Sequence, residues 1–318
     1  MYIMLFFISL ALSYQSHAQI LVQRDTILMG STFSISIVDI DSTNANRHID
    51  EVIQEIVRIE NLISEWQPHT QISQVNVAAG TNAIKVDKEV LELTKRALAY
   101  SEMSNGAFDI STGAMDRIWK FDGTMDTLPS PEALARSVAN VGYQNIVIDE
   151  EKSTLFLKKN GMKIGFGSIG KGYAADRGRA IMQEKGVKAG MVNASGDIAT
   201  WGTPPNLKKW MIGIKNPFKS HHYAEILKLR ESSVATSGSY EKYAEINNIR
   251  YSHIINPKTG IPSTGLTSVT IYGPSTEFAN ALSTSIMVLG EIQGKKLAKQ
   301  YTEYKFLLIT DKGKIITR

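Results

Sequence analysis

The sequence contains no cysteine among its 318 residues. This absence excludes disulfide bonds, zinc–thiolate sites, iron–sulfur clusters and a cysteine nucleophile. It also excludes a lipid anchor attached to an N-terminal cysteine. We therefore expect a fold that is insensitive to the redox state of its surroundings.

Long runs of one charge are also absent. The 35 basic and 31 acidic residues are spread along the chain and leave a formal charge of +4. Nucleic-acid binding proteins usually cluster their basic residues on one face, so the composition gives little support to such a role. A hydrophobic content of 43% is instead typical of a globular protein with a substantial core.

The sequence has an apolar N-terminal run, but this run is too short to cross a membrane. It covers residues 3–12, and a polar stretch then leads to Ala18, a small residue suited to cleavage. We predict that residues 1–18 are a secretory signal peptide, although the usual basic start is missing. A buried strand or an uncleaved anchor are the alternatives. The mature chain, residues 19–318, would then be exported, periplasmic and soluble.

Hydrophobic periodicity predicts the main secondary structure. Most predicted strands follow one another without an intervening helix, which favours an α+β fold with largely antiparallel sheets and flanking helices in one domain. We predict strands around residues 33–37, 146–148, 155–157, Ile164, 191–192, 211–214, 227–229, Val234, 254–255 and 269–272. We predict helices from about residue 49 to residues 64–66, over 88–103 with Asp87 as N-cap, and over 174–185, 277–289 and 294–301.

The glycine-rich segment 165–172 precedes a predicted helix and allows several interpretations. A Rossmann fingerprint is disfavoured because the next strand ends in Val192, Asn193 and Ala194 instead of an acidic residue. A P-loop is disfavoured because Gly172 follows Lys171 where Ser or Thr would bind magnesium. Backbone amides that hold a phosphate, or a glycine turn that allows tight packing, both remain open.

Together with other segments, this stretch resembles the ApbE family of FAD:protein FMN transferases. The resemblance runs from about Met29 to Gly290 and is spread over ordered blocks, so it covers most of the chain. The blocks are residues 29–31, 64–66, 106–110, 165–177, 192–198, 235–238, 252–260 and 279–284.

The resemblance implies an ApbE-like, T-fold-resembling domain with a central FAD cleft, in which Mg²⁺ bridges the protein and the pyrophosphate. Such an enzyme cleaves FAD and transfers FMN through its phosphate to a Thr or Ser of an acceptor flavoprotein, releasing AMP. Two alternatives stay open on the residues alone. One is an FAD pyrophosphatase that gives FMN and AMP, and the other is a non-catalytic flavin-binding protein.

By the same resemblance, the cation would be held by the backbone carbonyl of Ser168 and by Asn280 and Thr284. The i, i+4 spacing of the last two places them on one helix face. Asn280 stands where the family has an aspartate and brings no negative charge. We therefore expect weaker cation binding, with a larger contribution from the FAD phosphates. An ordinary polar helix face is the alternative.

FAD contacts are expected on both sides of the phosphates. Met29 and Trp66 would lie against the flavin or adenine ring, although each could instead belong to the core. Asp109 could instead form a turn with its own backbone. Gly165 occupies a position where many members have Asp, so one polar contact is expected to be missing there. The full set of expected FAD-binding residues is Met29, Trp66, Ala107, Phe108, Asp109, Gly165, Lys171 and Ile254.

His253 is the candidate general base because it is the histidine that lies within a matching block. Its imidazole would remove the proton of the attacking hydroxyl. A histidine that fixes the 253–260 turn is the alternative. Asn256 stands where Asp is usual, which removes one expected charge partner of His253.

Overall fold

The computed structural model describes residues 18–219, 221–239 and 243–318. The predicted signal peptide therefore lies outside the described residues, apart from Ala18. The helices are α1 Ser42–Ile63, α2 Gln71–Val77, α3 Lys88–Met103, α4 Pro131–Ser137, α5 Gly170–Glu184 and α6 Thr276–Ala298. The strands are β1 Ile20–Leu28, β2 Ser31–Asp39, β3 Ile84–Lys85, β4 Ile146–Asp149, β5 Thr154–Leu157, β6 Ala189–Ala194, β7 Asp197–Trp201, β8 Trp210–Lys215, β9 Tyr223–Leu229, β10 Ser232–Gly238, β11 Tyr243–Ile246, β12 Ile249–Ser252, β13 Leu266–Gly273, β14 Lys305–Thr310 and β15 Ile315–Thr317.

An eight-stranded antiparallel sheet forms the centre of the molecule, in the order β1-β2-β6-β7-β10-β13-β14-β15. Smaller antiparallel sheets are formed by β3-β5-β4, β8-β9 and β11-β12. The prediction of an α+β fold with largely antiparallel sheets is confirmed. None of the helices in the described ranges has both the length and the apolar character needed to cross a membrane.

Helices α1, α5 and α6 lie side by side on one face of this sheet. The apolar residues of α1 recur every three or four positions, so Ile49, Ile56 and Ile59 share the buried face of the helix. Each buried isoleucine contributes roughly 1.5–3 kcal/mol of hydrophobic free energy. At the other end of this layer of helices, α6 packs on β10 and β13.

On the other face of the sheet, the β8–β9 hairpin packs against β7, β10 and β14. Adjacent residues of a strand point to opposite faces, and here they enter different clusters. Val234 and Leu307 pack with the hairpin, whereas their neighbours Ala235 and Leu308 pack with α6. This part of the sheet therefore lies between α6 and the hairpin, and residues of both elements line the cleft described below.

The prediction for α3 is confirmed at both ends. Asp87 stands at the N-cap position, but its carboxylate accepts a hydrogen bond from Gln71 Nε2 at 2.8 Å and makes no capping bond. The helix is followed by Asn105 and Gly106, with φ of 51° and 72°. These left-handed conformations end the helix in the way expected from an Asn-Gly pair.

Two predicted strands are wrong. Ile164 lies in an irregular segment whose backbone N–H and carbonyl pair with the side-chain amide of Asn76, at 2.8 and 2.9 Å. A side chain thus replaces the neighbouring strand that the pattern implied. Ile254 and Ile255 lie in a tight loop that contains one isolated bridge, between Ile255 and Pro262.

Three predicted helix boundaries also differ. Helix α1 begins at Ser42, earlier than the predicted residue 49, because the Asp41 side chain caps its first turn. Helix α5 begins at Gly170, earlier than the predicted residue 174, because the glycine-rich segment itself supplies its first turn. The helices predicted on either side of residue 290 join into α6, with a kink at Gly290 where φ is 74°.

Candidate active site

A single deep cleft of about 1710 Å³ brings the separate sequence blocks together. Its walls come from the segment before α5, the β6–β7 turn, the end of β10, the start of α6 and two loops around residues 107–121 and 253–257. The predicted residues that line it are Trp66, Ala107, Phe108, Asp109, Ser168, Lys171, His253, Ile254, Asn280 and Thr284. Met29 and Gly165 do not line it.

The N-terminus of α5 lies directly against the first turns of α6. A Cβ atom at Gly172 would lie 2.7 Å from the Thr276 carbonyl oxygen and closer still to Asn280 Oδ1. Only glycine allows this approach, which explains why Ser or Thr does not follow Lys171. At Gly167, by contrast, a Cβ would meet nothing within 4 Å. The segment therefore combines tight packing at one glycine with open space at another.

Asp176 fixes the relative position of these two helices. From α5, its carboxylate accepts hydrogen bonds from the backbone N–H groups of Thr276 and Glu277, at 2.8 and 3.0 Å. It therefore caps the N-terminus of α6, where negative charge is stabilising. Arg179 holds the same carboxylate through an ion pair of 2.9 Å. These bonds join the helices that carry Lys171 and Asn280.

Four oxygen-bearing side chains, Asp197, Ser237, Asn280 and Thr284, meet at this point and are called the cation pocket below. Asn280 Nδ2 donates to Asp197 Oδ1 at 2.8 Å, and Ser237 Oγ lies 3.3 Å from Thr284 Oγ1. Asn280 Oδ1 is buried and has no hydrogen-bond partner. A buried oxygen without a donor is suited to a hard cation such as Mg²⁺, which prefers oxygen ligands.

Asp197 is the carboxylate of this pocket, and sequence reasoning assigned it no role. Burial raises its pKa to about 6, while the charge of Lys171 and the hydrogen bond from Asn280 act in the opposite direction. The residue begins β7 after a tight turn in which Ser195 and Gly196 have φ of 56° and 101°. No sequence pattern joins it to Asn280, which is 83 positions away. The part of the chain that the structure describes has no cluster of three or more His, Cys, Asp or Glu side chains suited to a metal, so a cation here depends on neutral oxygens as well.

A second carboxylate that sequence reasoning did not assign lies beside Gly165. A Cβ atom at Gly165 would overlap the carboxylate of Glu65, with Oε1 at 2.8 Å and Oε2 nearer. Glu65 lines the cleft, and burial raises its pKa. The side chain of Glu65 thus occupies the space that an aspartate at 165 would have used.

The ring-binding candidates differ in their surroundings. Trp66 is 74% exposed at the rim, where the Arg117 guanidinium lies 5.4 Å from its ring centroid. This ring is available to a planar ligand. Met29 instead packs against the main hydrophobic cluster, and its backbone N–H donates to Glu60 Oε2 at 3.0 Å. Met29 is partly buried there and does not line the cleft, so its expected contact with a ring of FAD stays a prediction.

Asp109 has a clear structural role in the cleft wall. Its carboxylate accepts hydrogen bonds from the Ser111 N–H at 2.8 Å, the Ser111 hydroxyl at 2.6 Å and the Tyr143 N–H at 2.8 Å. Burial raises its pKa. These bonds use both carboxylate oxygens, so Asp109 holds the segment that carries Ala107 and Phe108 in place.

His253 lines the cleft next to a group of aromatic rings. Its ring meets Phe121 edge to face, with 6.5 Å between centroids. Trp119 stacks on Phe121 and on Tyr251, at 6.5 and 5.6 Å, and its Nε1 donates to the Gly260 carbonyl at 2.8 Å. Sequence reasoning missed Trp119 and Phe121, although two aromatic residues separated by one position were a usable signal.

Comparison with known proteins gives one consistent family. The model of the ApbE family matches residues 29–308. An FAD:protein FMN transferase of Klebsiella pneumoniae is 29% identical over 292 residues, which cover 91% of this chain and 89% of the relative. The ApbE protein of Thermotoga maritima has a similar structure, with a TM-score of 0.83, 29% identity and coverage of 93% of this chain and 96% of that one. The flavin transferase ApbE of Vibrio cholerae gives a TM-score of 0.82 at 25% identity, with coverage of 94% and 97%.

Proposed function

The chain belongs to the ApbE family, and on this basis we propose that it is an FAD:protein FMN transferase. The observation that carries the proposal is that Lys171, the glycine-rich segment and the cation pocket line one cleft. A diphosphate in that cleft would be in reach of both. The volume of about 1710 Å³ exceeds that of typical small-ligand pockets and suits a whole dinucleotide.

Charge neutralisation is the main requirement for transfer at a pyrophosphate. Lys171 and the backbone amides at the start of α5 would bind the phosphate oxygens, and the helix dipole acts in the same direction. Asn280 and Thr284 of the cation pocket, together with the Ser168 carbonyl that the family resemblance adds, would hold a divalent cation, for which we take Mg²⁺. When bound, the cation would polarise the phosphoryl oxygens as a Lewis acid.

The transfer itself exchanges one oxygen–phosphorus bond for another. A Thr or Ser hydroxyl of the acceptor attacks the phosphorus of the FMN half, and the bond from that phosphorus to the bridging oxygen breaks. AMP leaves with the bridging oxygen. His253 accepts the proton of the attacking hydroxyl as general base. Trp66, Phe108 and Ile254 would orient the ring systems of FAD.

The acceptor would be an extracytoplasmic flavoprotein domain, because the apolar run 3–12 and Ala18 support export to the periplasm. Fractionation of cells that express the full chain tests this part. Recovery of a shortened chain from the periplasm is expected. Retention of the full-length chain in the cytoplasm would contradict export without affecting the proposed activity.

Mass spectrometry of an acceptor domain incubated with the protein, FAD and Mg²⁺ tests the proposed activity. We expect a covalent FMN adduct on the acceptor hydroxyl, with one AMP released for each adduct. An acceptor variant with valine in place of the target threonine is the control and should stay unlabelled. FMN and AMP without an adduct would identify a pyrophosphatase, and intact FAD would identify a flavin-binding protein.

The negative charges that Asn280 and Asn256 lack would favour the non-catalytic alternative. Asp197 supplies a carboxylate beside Asn280, at 2.8 Å. Asn256 Oδ1 accepts a hydrogen bond from the Lys258 N–H at 2.9 Å, a turn bond that Asn and Asp make equally well. Neither asparagine therefore argues against catalysis.

A further inference from the structure

The contact between Asn280 and Asp197 determines how the amide of Asn280 is oriented. A carboxylate accepts hydrogen bonds and cannot donate when ionised, so the NH₂ group of Asn280 must face Asp197. Its carbonyl oxygen then faces away, and this is the buried Oδ1 without a partner. An aspartate at position 280 would instead bring two carboxylates within hydrogen-bond distance and destabilise both charges.

We propose that Asp197 supplies the negative charge of the cation pocket, and that Asn280 is its neutral partner and offers its carbonyl oxygen to the cation. The proposal rests on the proposed function, since it concerns the cation of that reaction. The pocket thus contains one carboxylate, Asp197, although Asn280 itself is neutral.

The surroundings of Asp197 support a fixed charge at this place. The residue pairs with Ala194 across the β6–β7 turn, which holds its backbone in the central sheet. The next residue, Ile198, accepts a hydrogen bond through its carbonyl from the Thr276 hydroxyl at 3.2 Å, which links β7 to the first turn of α6. Across the described residues, Asn280 is the one hydrogen-bond donor to the Asp197 carboxylate. The second carboxylate oxygen is thus available to the cation or to a water bound to it.

Lys171 is the charged group that faces Asp197 from α5, and its charge favours the ionised carboxylate. A lysine and a carboxylate at the same diphosphate have different roles. Lys171 would bind phosphate oxygens directly, whereas Asp197 would be repelled by them unless a cation lay between. This arrangement predicts that cation and FAD bind together.

Mn²⁺ titration followed by electron paramagnetic resonance, with FAD present, tests the assignment on the full-length protein. The variants are Asp197→Asn and the exchanged pair Asp197→Asn/Asn280→Asp. We expect Asp197→Asn to weaken Mn²⁺ binding by about 10- to 100-fold, and the exchanged pair to regain most of that affinity. Asp311→Asn is the matched control, because its carboxylate also accepts hydrogen bonds, from the Gly265 N–H and the Thr267 hydroxyl, but lies outside the cleft.

Thermal unfolding of each variant shows whether the fold is retained, and the exchanged pair separates loss of charge from loss of structure. Wild-type affinity in Asp197→Asn would overturn the inference, as would an exchanged pair no better than Asp197→Asn. If the wild type then still transfers FMN to an acceptor, the proposed function stands without this assignment. Absence of both Mn²⁺ binding and transfer in the wild type would overturn the two together.

Discussion

The cation pocket and the cleft wall at Gly165 differ in how they replace an expected aspartate. At position 280 an amide remains, and it donates a hydrogen bond of 2.8 Å to Asp197 from another strand. At position 165 no side chain remains, and the long side chain of Glu65 fills the space. In both places a carboxylate from another segment lies beside the position that lacks an aspartate.

The two replacements differ in rigidity. Asp197 begins a strand of the central sheet and is held by a donor, whereas no group in the described part of the chain donates a hydrogen bond to the Glu65 carboxylate, and burial alone raises its pKa. A charge that must meet a cation benefits from a fixed position. A charge at the wall can be carried by a longer and more adaptable side chain.

We expect the largest loss of stability from a substitution that disturbs the rigid cation pocket. Gly172→Ala would push the start of α5 away from the Thr276 backbone, because the new Cβ would lie 2.7 Å from its carbonyl oxygen. We expect a loss of about 3 kcal/mol in the free energy of unfolding, together with weaker Mn²⁺ binding. Chemical denaturation measures the first effect and an Mn²⁺ titration the second.

Gly167→Ala is the matched control for this substitution, since it lies in the same segment with nothing within 4 Å of the new Cβ. We expect its stability to stay close to that of the wild type. Equal stability of the two variants would show that α5 and α6 tolerate separation, and the contrast in rigidity would then fail.

We expect a smaller loss of stability at the cleft wall formed by Gly165 and the adaptable side chain of Glu65. Gly165→Asp would bring a second carboxylate into the space of Glu65, which should cost about 1–2 kcal/mol of stability through crowding and repulsion. Glu65 can move in response, so the cost should stay below that of Gly172→Ala. The double variant Glu65→Ser/Gly165→Asp should recover stability and FAD affinity, which flavin fluorescence can measure. A single variant as stable as the wild type would show that the two positions do not compete for one space.

The smallest effect concerns pH. Burial raises the pKa of Glu65 in the folded state, so folding disfavours its ionised form. The resulting cost is absent below the pKa of the unfolded chain and fully present once the pH exceeds the folded pKa. Glu65→Gln should therefore stabilise the protein by less than about 1 kcal/mol at pH 8 and leave it unchanged at pH 4. Thermal unfolding at the two pH values measures this, and a gain at pH 4 alone would contradict the sign.

Local patterns predicted much of the fold. The apolar spacing of α1, the bounds of α3 and the β4–β5 hairpin follow from interactions between residues near in sequence. Ile164 shows the limit, because its backbone pairs with the side chain of Asn76, which is 88 positions away. A pattern of apolar residues carries no information about such a partner.

The candidate site was predictable to a similar extent. Most of the residues expected from the family resemblance line one cleft, whereas Met29 is partly buried against the main hydrophobic cluster and does not line it. The sequence could not assign roles to Asp197 and Glu65. Each carboxylate lies beside a position, 280 or 165, that belongs to another sequence block. The sequence blocks show which aspartates are missing. Only the folded chain shows which carboxylates lie beside those positions.

Broadening of the FAD phosphorus resonances by Mn²⁺ tests whether the glycine-rich segment and the cation pocket hold one diphosphate. Phosphorus NMR of protein-bound FAD is compared with Mn²⁺ and with diamagnetic Ca²⁺. We expect strong broadening of both phosphorus signals in the wild type and loss of this effect in Asp197→Asn. Sharp phosphorus signals in the wild type, with FAD and Mn²⁺ both bound, would show that cation and diphosphate occupy separate places.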